Sequence, residues 1–294
     1  MPTSKSIYEK RHRPLDLFVY VIIYFCASIS IVLLAGIVGY VTFRGVSSIN
    51  WSFLTTVSST IKGTIGIAGN IVNTIYIIII TLLIAIPIGI GAAIYLNEYA
   101  KEGRAVRMIE FTTETLAGIP SIIFGLFGYV FFGITLKLGF SVLTGALTLS
   151  IMVLPLITRN TQEALKTVPS SYRSGALGIG ATKWYMIRTI LLPSAMPGII
   201  TGVILSIGRI VGESAALIFT AGSGFLLPKL GEYGEGLFEK ILQPGGTMTI
   251  QLYLFMENAK YDEAFGVALV LLIIVLGINL LTKYLTKKFN VNKI

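Results

Sequence analysis

Histidine and cysteine occur once each in the 294 residues, as His12 and Cys26, and charged residues make up only 13% of the chain. A single cysteine leaves no pair for an internal disulfide. With one histidine and no H-E-x-x-H pair, no ordinary protein metal centre is expected. The chain also lacks a G-x-x-x-x-G-K-[ST] loop, so if its work is driven by ATP, another polypeptide binds the nucleotide. The shortage of charge excludes most. Soluble domains carry about 25% charged residues, and here 54% of the residues are hydrophobic. Too little polar surface remains to coat a globule in water, so the solvent is lipid.

What is present fits that solvent. A helix needs about 20 mostly apolar residues to cross the hydrocarbon core, and six stretches qualify. The first runs from Leu17 to Phe43 behind the basic cluster Lys10, Arg11, His12, Arg13 and Pro14, and reads as an uncleaved signal anchor. The second lies within Gly63–Asn97, the third within Thr115–Leu136 and the fourth within Leu138–Thr158, with Gly139 and Ser141 marking the turn between the last two. The fifth, from about Pro193 to Thr220, carries Arg209 and Glu213, and the sixth covers about Ala264–Thr282. The predicted fold is therefore all-α: a cytoplasmic tail at 1–16, a first transmembrane helix at 17–43, a five-helix core at 69–287 and a short tail at 288–294.

Lysines and arginines set the orientation, because cytoplasmic loops retain more of them. With the N-terminus inside, the exported side receives only Arg44, Lys62, Lys137, Lys229, Lys240 and Lys260; Arg209 lies in a span, and the other sixteen of the 23 basic residues face the cytoplasm. Both termini are then cytoplasmic. The net charge of +9 is mostly this topology signal, with attraction to anionic lipid secondary, and implies no nucleic acid.

Between the fourth and fifth spans, residues 160–192 form a loop far longer than a turn requires. Pro169 stops one helix, Ser170 or Ser171 is placed to cap a second near Tyr172, Gly178-Ile179-Gly180 breaks it, and Thr182 is placed to cap a third carrying Trp184, Ile187, Ile190 and Leu191. A helix, glycine turn and helix presenting Tyr172 and Leu177 suits insertion into a groove on a soluble partner.

Arg209 is the outstanding single residue. An arginine within a span costs about 2.5 to 3.5 kcal/mol on insertion scales and needs a partner or a wet cavity. Glu213, four residues on, would share its helix face; the pair reads as an oxyanion contact in a pathway or as a structural ion pair. Arg159, at the cytoplasmic end of the fourth span, reads equally as a second anion contact and as a positive-inside anchor. Glu110 and Glu114 fit solvated helix-end charges better than a proton relay. Pro87, Pro120, Pro155 and Pro197 are expected mostly to kink their helices. The glycines at 222, 224, 231, 234, 236, 245 and 246 fit a flexible exported loop better than an anion cradle.

Tyr172-Arg173-Ser174-Gly175-Ala176-Leu177-Gly178-Ile179-Gly180-Ala181-Thr182, followed by Ile190-Leu191-Leu192-Pro193, resembles the EAA loop of bacterial ABC importer permeases. The resemblance places Ser174 at the family's glutamate, Gly175 and Ala176 at its alanines and Gly180 at its glycine; Ser174 departs from the usual acid. The segments Ala92–Ala100, Leu116–Gly128, Leu154–Arg159 and Arg209–Leu217 narrow the likeness to phosphate-importer permeases of the A type. That resemblance implies a six-helix permease with a cytoplasmic coupling-helix pair. It also implies a related second permease completing the pathway, two copies of an ABC ATPase that bind ATP, and an extracytoplasmic phosphate-binding protein. Tyr172, Ser174, Gly175, Ala176, Leu177, Gly180, Ala181 and Thr182 would grip the ATPase, while Arg209, Glu213 and Arg159 would line the path. The chain itself would catalyse no covalent reaction, hold no cofactor and reside in the inner membrane. Sulfate or molybdate remain alternative cargoes, since an arginine fork receives any tetrahedral oxyanion. A self-contained secondary anion transporter is the lesser alternative, because the sequence shows no paired inverted repeats and that class does not account for the long coupling loop.

Overall fold

The structure, a computed structural model, describes residues 14–59, 63–101, 103–225, 227, 236 and 239–288. The basic leader with His12, Lys62, Lys229, the glycines at 231 and 234 and the last six residues lie outside the described residues. Helix α1 (Pro14–Val46) packs along the last helix and leaves its apolar length uncovered by the rest of the chain. Asn50 then caps the short α2 (Trp51–Thr55), accepting from the Phe53 amide at 2.7 Å. An antiparallel hairpin of β1 (Val57–Ser59) and β2 (Thr64–Ile67) follows, pairing Val57 with Ile67 and Ser59 with Thr64. The polar Thr/Ser/Gly composition around it hides this hairpin from a reading tuned to apolar runs.

The membrane core begins with α3 (Ala68–Ile94), which widens into a π-helical turn at Tyr95–Tyr99. Next come α4 (Arg104–Gly118), α5 (Ser121–Gly128) with its π-helical extension Tyr129–Thr135, and α6 (Val142–Lys166), capped by Ser141. The coupling loop forms α7 (Ser170–Gly178), α8 (Lys183–Met186) and a π-helical turn Ile187–Leu191 that runs into α9 (Leu192–Gly212). Short helices α10 (Ala215–Thr220) and α11 (Met248–Glu257) precede α12 (Tyr261–Lys288).

Helix α6 is the central element, with α3 on one side and α9 on the other. Small and hydroxylated residues of α3 and α6 permit close approach: Gly89 faces Ile157, the Thr81 hydroxyl donates to the Ala146 carbonyl and the Ser150 hydroxyl donates to the Thr81 carbonyl, both at 3.3 Å. Such small-residue contacts and interhelical hydrogen bonds hold helices together where lipid is as apolar as the side chains. Ile77, Leu149, Val153, Ile157 and Leu217 fill the buried layer around them.

Among the described residues, five helices are long and apolar enough to cross a membrane, and α4 with α5 make a sixth crossing if taken as one bent span. Two predicted spans are corrected in shape. The third, Thr115–Leu136, straddles a 101° bend between α4 and α5: Ile119 and Pro120 are both extended, because proline disfavours helix at the residue before it and offers no amide of its own. Pro120 thus breaks its helix, while Pro87, Pro155 and Pro197 sit inside theirs. The fifth, Pro193–Thr220, ends at Gly212; Glu213 is extended and α10 is a separate helix.

Candidate functional site

Arg209 lies in the last turn of α9, where the negative end of the helix dipole favours a cation. On the same helix Ser206, Ile210 and Val211 are buried against the chain, whereas Arg209 is exposed. Its neighbours Gly208 and Gly212 have open space where a side chain would stand. Arg209 therefore faces away from its own core. The predicted Arg209–Glu213 pair does not form: among the described residues the ion pairs are Arg44–Asp262, Arg159–Glu114, Arg159–Glu163 and Arg173–Glu98. The i,i+4 argument requires a continuous helix, and the helix stops between the two residues. Glu213 instead caps the next helix, its Oε1 accepting from the Ala216 amide at 3.0 Å, while its carbonyl accepts from the Thr249 hydroxyl at 3.0 Å.

Arg159 extends from the C-terminal half of α6 and is held by Glu114 of α4 at 3.6 Å and by Glu163 at 3.3 Å. All three are more than 60% exposed, so these pairs are weak individually. Glu110 is a solvated helix residue, as expected; Glu114, exposed as well, reaches Arg159. Two adjoining hollows of about 690 and 210 Å³ open here, sharing Leu96, Glu110 and Lys166 in their walls.

The coupling loop takes the predicted helix–turn–helix shape with one correction at its start. Pro169, not Ser170 or Ser171, stands at the N-cap of α7, and no side chain caps that helix. The turn is made by Gly180 at φ +84°, a backbone that L side chains rarely adopt, and Thr182 caps α8, accepting from the Tyr185 amide at 3.3 Å. Ala176 is buried with Leu165, Val168, Met186, Ile187 and Leu191, and Ala181 packs on the same cluster. Tyr172, Leu177, Ile179, Trp184 and Tyr185 are exposed, Ile179 at 87%. Gly175 meets nothing within 4 Å, and the Ser174 hydroxyl bonds back to the Ser170 and Ser171 carbonyls. The loop thus carries an apolar outer face on a packed inner one.

Sequence reasoning missed what fastens this loop. The Arg173 guanidinium donates through Nε and Nη2 to Glu98 Oε1 at 3.1 and 2.8 Å, and also to the Leu165 and Val168 carbonyls at 3.0 and 2.9 Å. Glu98, 5% exposed, further accepts from Asn97. Lys183 of α8 stands 4.8 Å from the Tyr99 ring. The available signal was an acid at the end of an apolar span, facing a loop rich in arginine and lysine. In the segment between α10 and α11, Lys240 is buried and donates to the Pro244 carbonyl at 3.3 Å; burial lowers its pKa from the ordinary lysine value.

Residues 85–290 match the model of the binding-protein-dependent transport system inner membrane component family. The chain belongs to this family. It is 35% identical over 269 residues to a protein of Bacillus subtilis named "Probable ABC transporter permease protein YqgI", covering 88% of this chain and 91% of that one. It is 32% identical over 245 residues to "Phosphate transport system permease protein PstA 2" of Mycobacterium bovis, covering 83% and 80%. The "Phosphate transport system permease protein PstA homolog" of Mycoplasma pneumoniae is 37% identical over 270 residues, which is 89% of this chain and 40% of that longer protein. Among solved structures, a bacterial alginate ABC transporter in complex with its pentasaccharide-bound periplasmic protein aligns at TM-score 0.69 and 16% identity, covering 96% of this chain and 98% of that one. An inward-facing methionine ABC transporter aligns at TM-score 0.56 and 17% identity, covering 76% and 94%. The permease fold inferred from the motifs is thereby shown, and the chain is a multi-pass inner-membrane permease component of an ABC importer.

Proposed function

We propose that this permease forms half of the pathway of an ATP-driven inorganic phosphate importer. The observation that carries the reading is Arg209: an arginine turned away from its own chain's core, flanked by two glycines with open space, and engaged by no carboxylate among the described residues. A planar guanidinium presents paired N–H donors that match two oxygens of a tetrahedral anion. A related second permease covers this face and completes the path. Glu213 contributes by holding the break after α9, which fixes where the arginine-bearing turn ends. Of the two readings of Arg159, the geometry supports the ion-paired anchor, since its charge is already balanced by Glu114 and Glu163.

The exposed apolar face of α7 and α8 docks into a groove on the ATPase, two copies of which serve the two permeases and bind ATP. An extracytoplasmic binding protein delivers the anion. Nucleotide binding and hydrolysis favour one of two global states, open outward or open inward, through rigid movement of the helices attached to the coupling loop. The phosphate permeases among the relatives favour phosphate over sulfate or molybdate. Reconstitution with the binding protein and ATPase tests this: ATP-dependent accumulation of labelled phosphate, displaced by unlabelled phosphate but not by sulfate or molybdate, is expected. Accumulation of sulfate or molybdate instead overturns the substrate, and anion accumulation without ATP overturns the mechanism.

A further inference from the structure

The cytoplasmic end of α3 carries two adjacent side chains that reach different halves of the coupling loop. Glu98 receives Arg173 of α7, and the Tyr99 ring faces Lys183 of α8. Arg173 is the junction. Its guanidinium uses Nε and Nη2 on Glu98 and the remaining contacts on the Leu165 carbonyl in the last turn of α6 and the Val168 carbonyl just beyond it. Carbonyls at a helix end carry partial negative charge and lack partners within the helix, so one cation ties the ends of α3 and α6 to the start of α7. The Glu98 side chain is only 5% exposed, and the Arg173 side chain is 24% exposed. The apolar residues that form the outward docking face, Tyr172, Leu177 and Ile179, take no part in this junction.

We propose that Glu98 and Arg173 form a clamp that transmits movement of the coupling helices to α3 and hence to the core built on α3 and α6. Both are positioning residues for transport. The proposal rests on the docking reading above. It predicts that ATP-driven movement displaces α7 and α3 together, and that releasing the clamp lets the coupling helices move while the pathway lags.

The full complex in proteoliposomes, with its ATPase and binding protein, provides the test. In Glu98→Gln, phosphate moved per ATP hydrolysed is expected to fall about tenfold, within the range of an allosteric coupling, while the ATPase still co-purifies. Arg173→Gln is expected to match it, and the double variant to be no worse than either, since residues acting through one contact are non-additive. A merely structural role predicts hydrolysis and uptake falling in proportion, with an unchanged ratio, and that result overturns the clamp. A second readout does not depend on the anion. Spin labels at Leu83→Cys on α3 and Ser171→Cys on α7, in a Cys26→Ser background, are expected to keep one distance with and without trapped nucleotide in the otherwise native chain, and two distances in Glu98→Gln. The same single distance in Glu98→Gln contradicts the proposal. Should the native complex hydrolyse ATP yet move no phosphate, the substrate reading fails and the label distances alone decide the clamp.

Discussion

At the scale of single residues, the structure separates roles that one helix turn of sequence makes look joint. Arg209 and Glu213 are four apart, a spacing that pairs side chains on a continuous helix, but the chain leaves the helix at Glu213 and the carboxylate turns to the Ala216 amide. The work of Glu213 is then that of a cap, which requires an acceptor and not a charge. Glu213→Gln should leave the thermal midpoint of the purified complex nearly unchanged, whereas Glu213→Ala should cost about 1 kcal/mol, the usual value of a lost helix cap. Equal loss in both variants would restore a role for the charge. Arg209 stood out in the sequence because a cation within an apolar stretch is rare and costly. Arg173 was not, because a loop arginine beside other basic residues looks like any positive-inside charge until Glu98 is seen beside it at 2.8 Å. Removing one end of a buried pair costs about 3 to 5 kcal/mol, reduced here because Arg173 keeps part of its surface.

Among helices and loops, the apolar runs revealed where the chain crosses the bilayer but not where it bends. The bend at Pro120 falls inside an apolar stretch and the break at Glu213 inside a span that is apolar apart from Arg209 and Glu213, so averaged hydropathy passes over both; the physical cause in each case is local backbone, not composition. The coupling loop was more legible, since Pro169, Gly180 and Thr182 punctuate it. Glycine has two meanings among these elements. In α5, a methyl group on Gly125 would stand 2.8 Å from the Ala216 Cα of α10, a backbone atom that cannot swing aside, whereas Gly36 of α1 has nothing within 4 Å. Gly125→Ala should therefore destabilise by about 1 to 3 kcal/mol through overpacking. Gly36→Ala should be neutral or stabilise by up to about 1 kcal/mol through helix propensity. Detergent thermal unfolding of the two variants distinguishes them, and a harmless Gly125→Ala would show that α5 and α10 do not pack as described.

For the whole molecule, the claims concern orientation and passage. The excess of lysine and arginine on one side predicts that Lys166 faces the cytoplasm and Lys260 the exported side, and both are exposed. In cells expressing a Cys26→Ser chain, a membrane-impermeant thiol reagent should label Lys260→Cys and spare Lys166→Cys; the reverse pattern would invert the topology and move the coupling loop away from any cytoplasmic ATPase. The central claim is that Arg209 meets the anion in transit. The decisive measurement is labelled phosphate uptake and ATP hydrolysis, followed together in proteoliposomes of the full complex bearing Arg209→Gln. The account predicts an assembled, hydrolysing complex whose phosphate uptake falls by about a hundredfold, the scale of losing a charge-assisted hydrogen bond worth roughly 3 kcal/mol. Uptake equal to that of the native chain would contradict it and leave Arg209 a structural charge.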